Sequence, residues 1–196
     1  MALRLSAKQL LSLHQYQYDG THRNRNECAL CAMAMLSNMA AKSFAIKDFH
    51  LPAATLGKFL DRIPMRYARV PAWVPQVGGA THPRAAAAGL AAYIWKLNRE
   101  GLSFPWQAIW RTGQSPGDLE TALSARRPTL IYGVGPTGIP HVVVPIKRER
   151  GGWLVLDPGF TLNQNPRKWT EDELTSWWRR YSFLYPRGTM VSLKRV

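Results

Sequence analysis

The chain predicts an α+β fold, with a helical N-terminal part packed on an antiparallel C-terminal sheet, and three observations carry that expectation. Before Pro128 the signals are helical, above all in Cys28 to Lys42, CALCAMAMLSNMAAK, a nearly unbroken run of helix-forming apolar residues. After Pro128 the pattern changes to short β-branched runs, TLIYGV, PHVVVPI, WLVLD and TMVSLKRV, divided by turn residues. Helices followed by strands, without regular alternation, point to α+β. With 196 residues the chain is long enough to bury a sizeable core, and one domain is expected over residues 1–196.

Taken in order, residues 6 to 14 read as a short helix and residues 15 to 27, QYQYDGTHRNRNE, as a polar loop with an Asp19-Gly20 turn signal. The loop ends at Cys28, where the central buried helix begins, with Asn24 or Asn26 as its cap. A second helix is expected over 53 to 62, stopped before Pro64, followed by an irregular stretch marked by Pro71, Pro75, Gly78 and Gly79. Residues 84 to 98 form a third helix, closed by Gly101. Ser115, Pro116 and Asp118 give a strong start signal for a fourth helix, running to about Arg126.

Residues 129 to 134 and 140 to 146 then read as strands, 147 to 152 as a polar turn, and 153 to 157 as a third strand. Pro145 places its strand at an edge or at a bulge, because proline cannot donate to a ladder. Thr170 with Glu173 is a capping box for a helix through about Arg180, and residues 189 to 196 form the last strand.

Composition narrows the function classes. Hydrophobic residues are 46% of the chain, with 8 Trp, 7 Tyr and 6 Phe, which excludes a disordered chain. The formal charge of +14, from 26 Lys plus Arg against 12 Asp plus Glu, favours anionic partners such as nucleic acid, an anionic lipid face or an acidic wall polymer. The N-terminal MALRLSAKQLL has no sustained apolar run, which argues against a secretory signal. The expected location is therefore cytoplasmic, or outside the cell by a signal-independent route. The run AAAAGLAAYIW, bounded by Arg84 and Lys96, is too short for a membrane span. Two cysteines cannot make a disulfide scaffold, no Cys/His spacing suggests a metal site, and no cofactor is expected.

The candidate chemistry lies in three residues far apart in sequence. Cys28 opens a helix, where free backbone amides and the helix dipole favour a thiolate. His141 and Asp157 sit on neighbouring strands of a hairpin whose turn is centred near Glu149 or Arg150. That spacing sets the two residues opposite each other or one residue off, and opposed residues hold their Cβ atoms about 4.5–5.5 Å apart. The carboxylate can take one imidazole nitrogen and leave the other for a thiol. Cys31, one turn later, reads as core. His14, His22 and His82 lie in or near polar loops and His50 precedes a Leu-Pro break, so none is expected to take part.

These residues carry a family resemblance. Gln17 in HQYQYDG, Cys28 in NECALCAMAML, His141 in GIPHVVVPI and Asp157 in WLVLDPG follow the order Gln, Cys, His, Asp. The chain so resembles papain-like cysteine peptidases of the bacteriocin-leader-processing, C39-like type, over roughly residues 12 to 182. The resemblance implies a papain-like fold, Cys28 as nucleophile, His141 as general base and acid, and Asp157 as its orienter. It also implies Gln17 as an oxyanion-hole donor beside the Cys28 backbone amide. The residues alone do not separate Gln17 from Gln15. The family commonly has Gly-Pro after the cysteine, whereas Ala29-Leu30 stands here.

The implied reaction is acyl transfer on an amide of a peptide, protein or peptidoglycan substrate: hydrolysis by water, transamidation by an amine, or deamidation of a glutamine side chain. The absence of a membrane segment disfavours a transporter-fused leader peptidase. Three alternatives compete. Cys28-x-x-Cys31 has thiol–disulfide spacing, but the polar HRNRNE precedes it where a hydrophobic strand belongs. A basic nucleic-acid-binding module could use Trp177, Trp178, Arg179 and Arg180, although that helix has a face suited to core packing. An inactive papain-like scaffold used for binding is the third, and the intact triad weighs against it.

Overall fold

A computed structural model describes residues 6, 9, 12–18, 28–60, 81–180 and 186–196. Among them are five α-helices and one six-stranded sheet. Helix α1 spans Cys28–Ser43, α2 Ala53–Leu60 and α3 Pro83–Arg99; strand β1, Trp106–Arg111, follows. Then come α4 (Pro116–Ser124), β2 (Thr129–Val134), β3 (Pro140–Glu149), β4 (Gly152–Leu156) and β5 (Arg167–Trp169). Helix α5 (Glu171–Trp178) and strand β6 (Thr189–Arg195) complete the order. The strands lie in the order β1-β6-β2-β3-β4-β5, every pairing antiparallel.

Helix α1 is apolar but for Ser37 and Asn38 up to Ala41 and is buried accordingly: from Cys28 to Ala41 only Leu30 escapes full burial. It packs on β3 and β2 on one side and on α2 and α3 on the other. This core joins Met35, Leu36 and Met39 of α1 to Leu130 and Tyr132 of β2 and Val142 and Val144 of β3. The opposite face of the sheet is covered too. There Leu119 and Leu123 of α4 and Leu174 and Trp178 of α5 meet Ile131, Val143, Trp153 and Val155. Strand β2 is buried at all six positions because both faces are roofed.

The capping signals translate directly. Ser115 and Asp118 exchange side-chain and backbone hydrogen bonds at the start of α4, and Thr170 and Glu173 do the same at α5. Helix α5 rests on the sheet where Gly133 lies beneath Trp177. A Cβ at Gly133 would stand 2.3 Å from the indole, so glycine is what permits that approach.

Several expectations change. The turn of the β3–β4 hairpin is tighter than a 147–152 loop: the ladder runs to Glu149↔Gly152, and only Arg150 and Gly151 lie outside it. Pro145 is at a bulge, where the register shifts between Pro145 and Lys147, and its strand is internal to the sheet. Beyond the bulge Val144 faces Leu156, so His141 lies further along its strand than a position opposite Asp157. Helices α4 and α5 stop at Ser124 and Trp178, a turn or less before the expected ends. Strands β1 and β5 were not expected, and β1 brings the sheet into the N-terminal half. Asn24, Asn26, His22, the Asp19-Gly20 turn, the stretch from Pro71 to Gly79, residues 61 and 62 of the second expected helix and much of the first lie outside the described residues. Of the first expected helix, Ser6 and Gln9 exchange reciprocal bonds of 2.8 and 3.2 Å.

Candidate active site

Antiparallel pairing puts the start of β3 and the end of β4 at the same end of the sheet. His141 is the second residue of β3, and Asp157 directly follows β4. Their side chains meet there despite the register offset: His141 Nε2 lies 2.6 Å from Asp157 Oδ1. A contact that short has the length of a charge-assisted hydrogen bond. The first residue of α1 arrives at the same point, near enough for the Cys28 side chain to favour the charged imidazole. Cys28, His141 and Asp157 are thus brought together.

Burial of His141 opposes its protonation, but the hydrogen bonds from Asp157 and Cys28 and the charge of both outweigh it and raise its pKa to about 10. Burial of Asp157 would raise its pKa. The His141 hydrogen bond and charge, the Gly159 N–H and the Arg167 guanidinium outweigh burial and lower it. Both shifts favour the charged pair, imidazolium against carboxylate.

Asp157 is 1% exposed, and every polar atom it carries is occupied. Oδ1 accepts the His141 ring and the Gly159 N–H at 2.9 Å; Oδ2 accepts Arg167 Nη1 at 3.4 Å. Its backbone N–H donates to Asn165 Oδ1 at 2.8 Å. That bond fixes the Asn165 amide, so its Nδ2 is the donor to the carbonyls of Asp157, Phe160 and Thr161. The same Nδ2 lies 3.0 Å from His14 Nε2, which also sits 3.2 Å from the Asp157 carbonyl oxygen. Burial lowers the pKa of His14 and keeps its ring neutral, against the pull of the Asp157 carbonyl and charge.

The two glutamines separate. Gln15 spends its amide on the chain before α2, donating to Leu51 O at 2.7 Å and accepting from Ala53 N at 2.6 Å. Gln17 is tied by its backbone N–H to Pro158 O at 2.9 Å, beside the Asp157 turn. Its side chain is buried, and its Oε1 has no hydrogen-bond partner among the described residues. Gly159 is packed closely too: a Cβ there would stand 3.2 Å from Asp157 Oδ1 and 3.3 Å from His141 Cε1.

Four residues of this arrangement were not read from the sequence: His14, Gly159, Asn165 and Arg167. Gly159 had a signal in Asp-Pro-Gly. His14 joins the arrangement against the expectation that it takes no part, and Asn165 and Arg167 had no signal, because isolated polar residues show no periodicity. Cys31 is fully buried in the core. His82 caps α3, accepting the Arg84 N–H at 3.2 Å. Among the described residues no group of three or more His, Cys, Asp or Glu could hold a metal ion. The aromatic pair of the nucleic-acid alternative is engaged in packing: Trp178 is buried and bonds Thr189 O at 2.8 Å, and Trp177 stacks edge-on against Trp169.

No family model matches the chain, and no curated protein matches it in sequence. Solved structures do match. A protein described as a C39-like peptidase from Bacillus anthracis superposes with a TM-score of 0.58 at 14% identity, over 86% of this chain and 88% of that one. The peptidase domain of Streptococcus ComA, a bifunctional ABC transporter of a quorum-sensing pathway, superposes with a TM-score of 0.51 at 11% identity. That match covers 89% of this chain and 96% of the other. The fold is that of the C39-like peptidases.

Proposed function

We propose that this chain is a cysteine peptidase or amidase of a single papain-like domain, acting on peptide or protein substrates. Cys28 is the nucleophile, His141 the general acid and base, Asp157 the orienter of the imidazole. Gln17 and the Cys28 backbone N–H are the oxyanion donors. The observation that carries the reading is one imidazole held by Asp157 at 2.6 Å and electrostatically coupled to Cys28 at the start of α1.

The chemistry follows from that arrangement. Cys28 Sγ adds to the amide carbon, and the C=O π electrons move onto oxygen. A backbone N–H in the first turn of α1 has no intrahelical acceptor, so it can bond that oxyanion. The protonated His141 gives its proton to the nitrogen as the C–N bond breaks, which releases the amine and leaves a thioester. Water then attacks the thioester while His141 takes its proton. The C=O re-forms, the acid leaves, and the sulfur is freed for another cycle. An amine in place of water gives transamidation by the same steps. A glutamine side chain as substrate gives deamidation.

The test is mass spectrometry after brief treatment with iodoacetamide near neutral pH. Rapid labelling at Cys28 that falls in H141A, with Cys31 unlabelled, supports the reading. Equal slow labelling of both cysteines refutes it. A panel of peptides, wall fragments and glutamine-containing proteins then identifies the substrate and the acceptor. The ComA domain is part of a transporter. Among the described residues of this chain no helix is long and apolar enough to cross a membrane.

A further inference from the structure

Asp157 is held in orientation without help from Arg167. Its backbone N–H is pinned by Asn165, and its Oδ1 is shared by the His141 ring and the Gly159 N–H. Arg167 nevertheless approaches the remaining oxygen, Oδ2, at 3.4 Å. It is the first residue of the edge strand β5, and its Cζ sits 3.8 Å from the centroid of the Phe160 ring. Phe160 belongs to the same turn as Asp157, so the guanidinium is stacked in place at the back of the carboxylate, with the imidazole at the front. The Asp157 side chain is 2% exposed and Arg167's is 37% exposed, so one end of the pair is dry and the other meets water. A carboxylate in such a place is costly to keep charged without a cation nearby.

We propose that Arg167 is a positioning residue for the reaction assigned above, acting through Asp157: its guanidinium keeps the buried carboxylate ionised and thereby holds the His141 ring in place at acid pH. This rests on the peptidase reading. The other charged or titratable groups facing this pair are few. His141 comes from β3, with Cys28 of α1 behind it. His14 comes from the N-terminal segment and is neutral through burial. Glu173 of α5 feels the Arg167 charge from its own side. At acid pH His141 is the nearer cation and the larger influence on Asp157, and Arg167 adds a second positive charge that does not depend on pH.

Protonating Asp157 removes the acceptor of the His141 hydrogen bond. Removing the guanidinium makes that protonation easier, so the acid limit of the site moves upward in pH. A partly exposed cation at this distance is expected to move it by about one pH unit, the lower end of the range for such pairs. The experiment follows the Asp157 side-chain carboxyl ¹³C shift by NMR in the full chain as a function of pH. R167Q is expected to raise the midpoint by about one pH unit, and R167K, which keeps the charge, to restore most of the difference. On a substrate from the panel, R167Q should lose about tenfold in kcat/KM on the acid side of the profile and little near neutrality. Superimposable titrations of wild type and R167Q overturn the inference. Should R167Q not fold, F160L removes the ring against which the guanidinium is stacked while leaving every charge in place. A raised Asp157 midpoint in F160L then supports the inference, and an unmoved one overturns it. Failure of the peptidase reading is separately visible, as wild-type Cys28 labelling that does not depend on His141.

Discussion

Cys28 and Asp157 reach the same imidazole from opposite kinds of surroundings. Cys28 is delivered by a helix whose residues are almost all buried hydrophobes, so it is placed by packing. Asp157 stands in a turn between two strands, where Asn165 and Gly159 hold it through hydrogen bonds and Arg167 stands behind its second oxygen. Packing is non-directional and spreads any error over many contacts. A hydrogen-bonded turn is directional, and each missing partner leaves a buried polar group unpaired. The nucleophile's position should therefore tolerate change in its neighbours better than the orienter's.

The largest expected effect is chemical. C28A and H141A should each lower kcat/KM on a hydrolysed peptide by roughly 10⁴-fold or more, with near-native circular dichroism. Activity that survives C28A would end the case for a thiol nucleophile. Next comes the polar half. N165A strips the buried Asp157 N–H of its acceptor and should cost about 1–3 kcal/mol in urea unfolding, with a loss of activity. An unchanged midpoint would show that the turn does not depend on Asn165.

On the packing side, G133A pushes a methyl group into Trp177 and should cost about 1–3 kcal/mol, read as a lowered thermal midpoint. Because Gly133 pairs with His141 in the β2–β3 ladder, its activity readout also tests whether strain in the sheet reaches the site. The smallest effect belongs to C31A, a buried core substitution one turn from Cys28. It should cost about 1 kcal/mol and leave most of the activity. Loss of activity in C31A as complete as in C28A would favour the thiol–disulfide alternative.

The comparison is sharpened by pH. His141 has a folded-state pKa near 10 against an ordinary 6.5, so its stabilising contribution is complete below pH 6.5 and fades as pH climbs through about 10. Asp157 has a folded-state pKa below its ordinary 3.8. Its contribution is complete above that value and disappears as pH falls through the folded one. Stability measured by denaturant titration should thus hold between these limits and decline on both sides. H141A should flatten the alkaline decline. An alkaline limb unchanged in H141A would mean that another group is responsible for it.

What could be read locally was read well. The caps at Ser115 and Thr170 need only residues three positions apart, and α1 announces itself by composition. The strands flanking the site follow from β-branched runs. The hairpin register is not legible in the residues, because the bulge at Pro145 shifts the ladder and the turn is shorter than the polar stretch suggests. Strand β1, WQAIWR, mixes polar with apolar residues; it becomes a strand by pairing with β6, far away in the chain.

By itself the sequence determined the fold class, the helix starts, the main strands and the three residues worth asking about, Cys28, His141 and Asp157. Burial leaves a periodic record in the chain, and capping leaves a short-range one. Only the tertiary structure decided how those residues meet and what surrounds them. The bond between His14 and Asn165 joins residues 151 positions apart, and Arg167 faces Asp157 because β5 returns along β4. Polar contacts of that kind depend on where two separate segments arrive in space, and nothing in the residues on either side of them encodes that meeting.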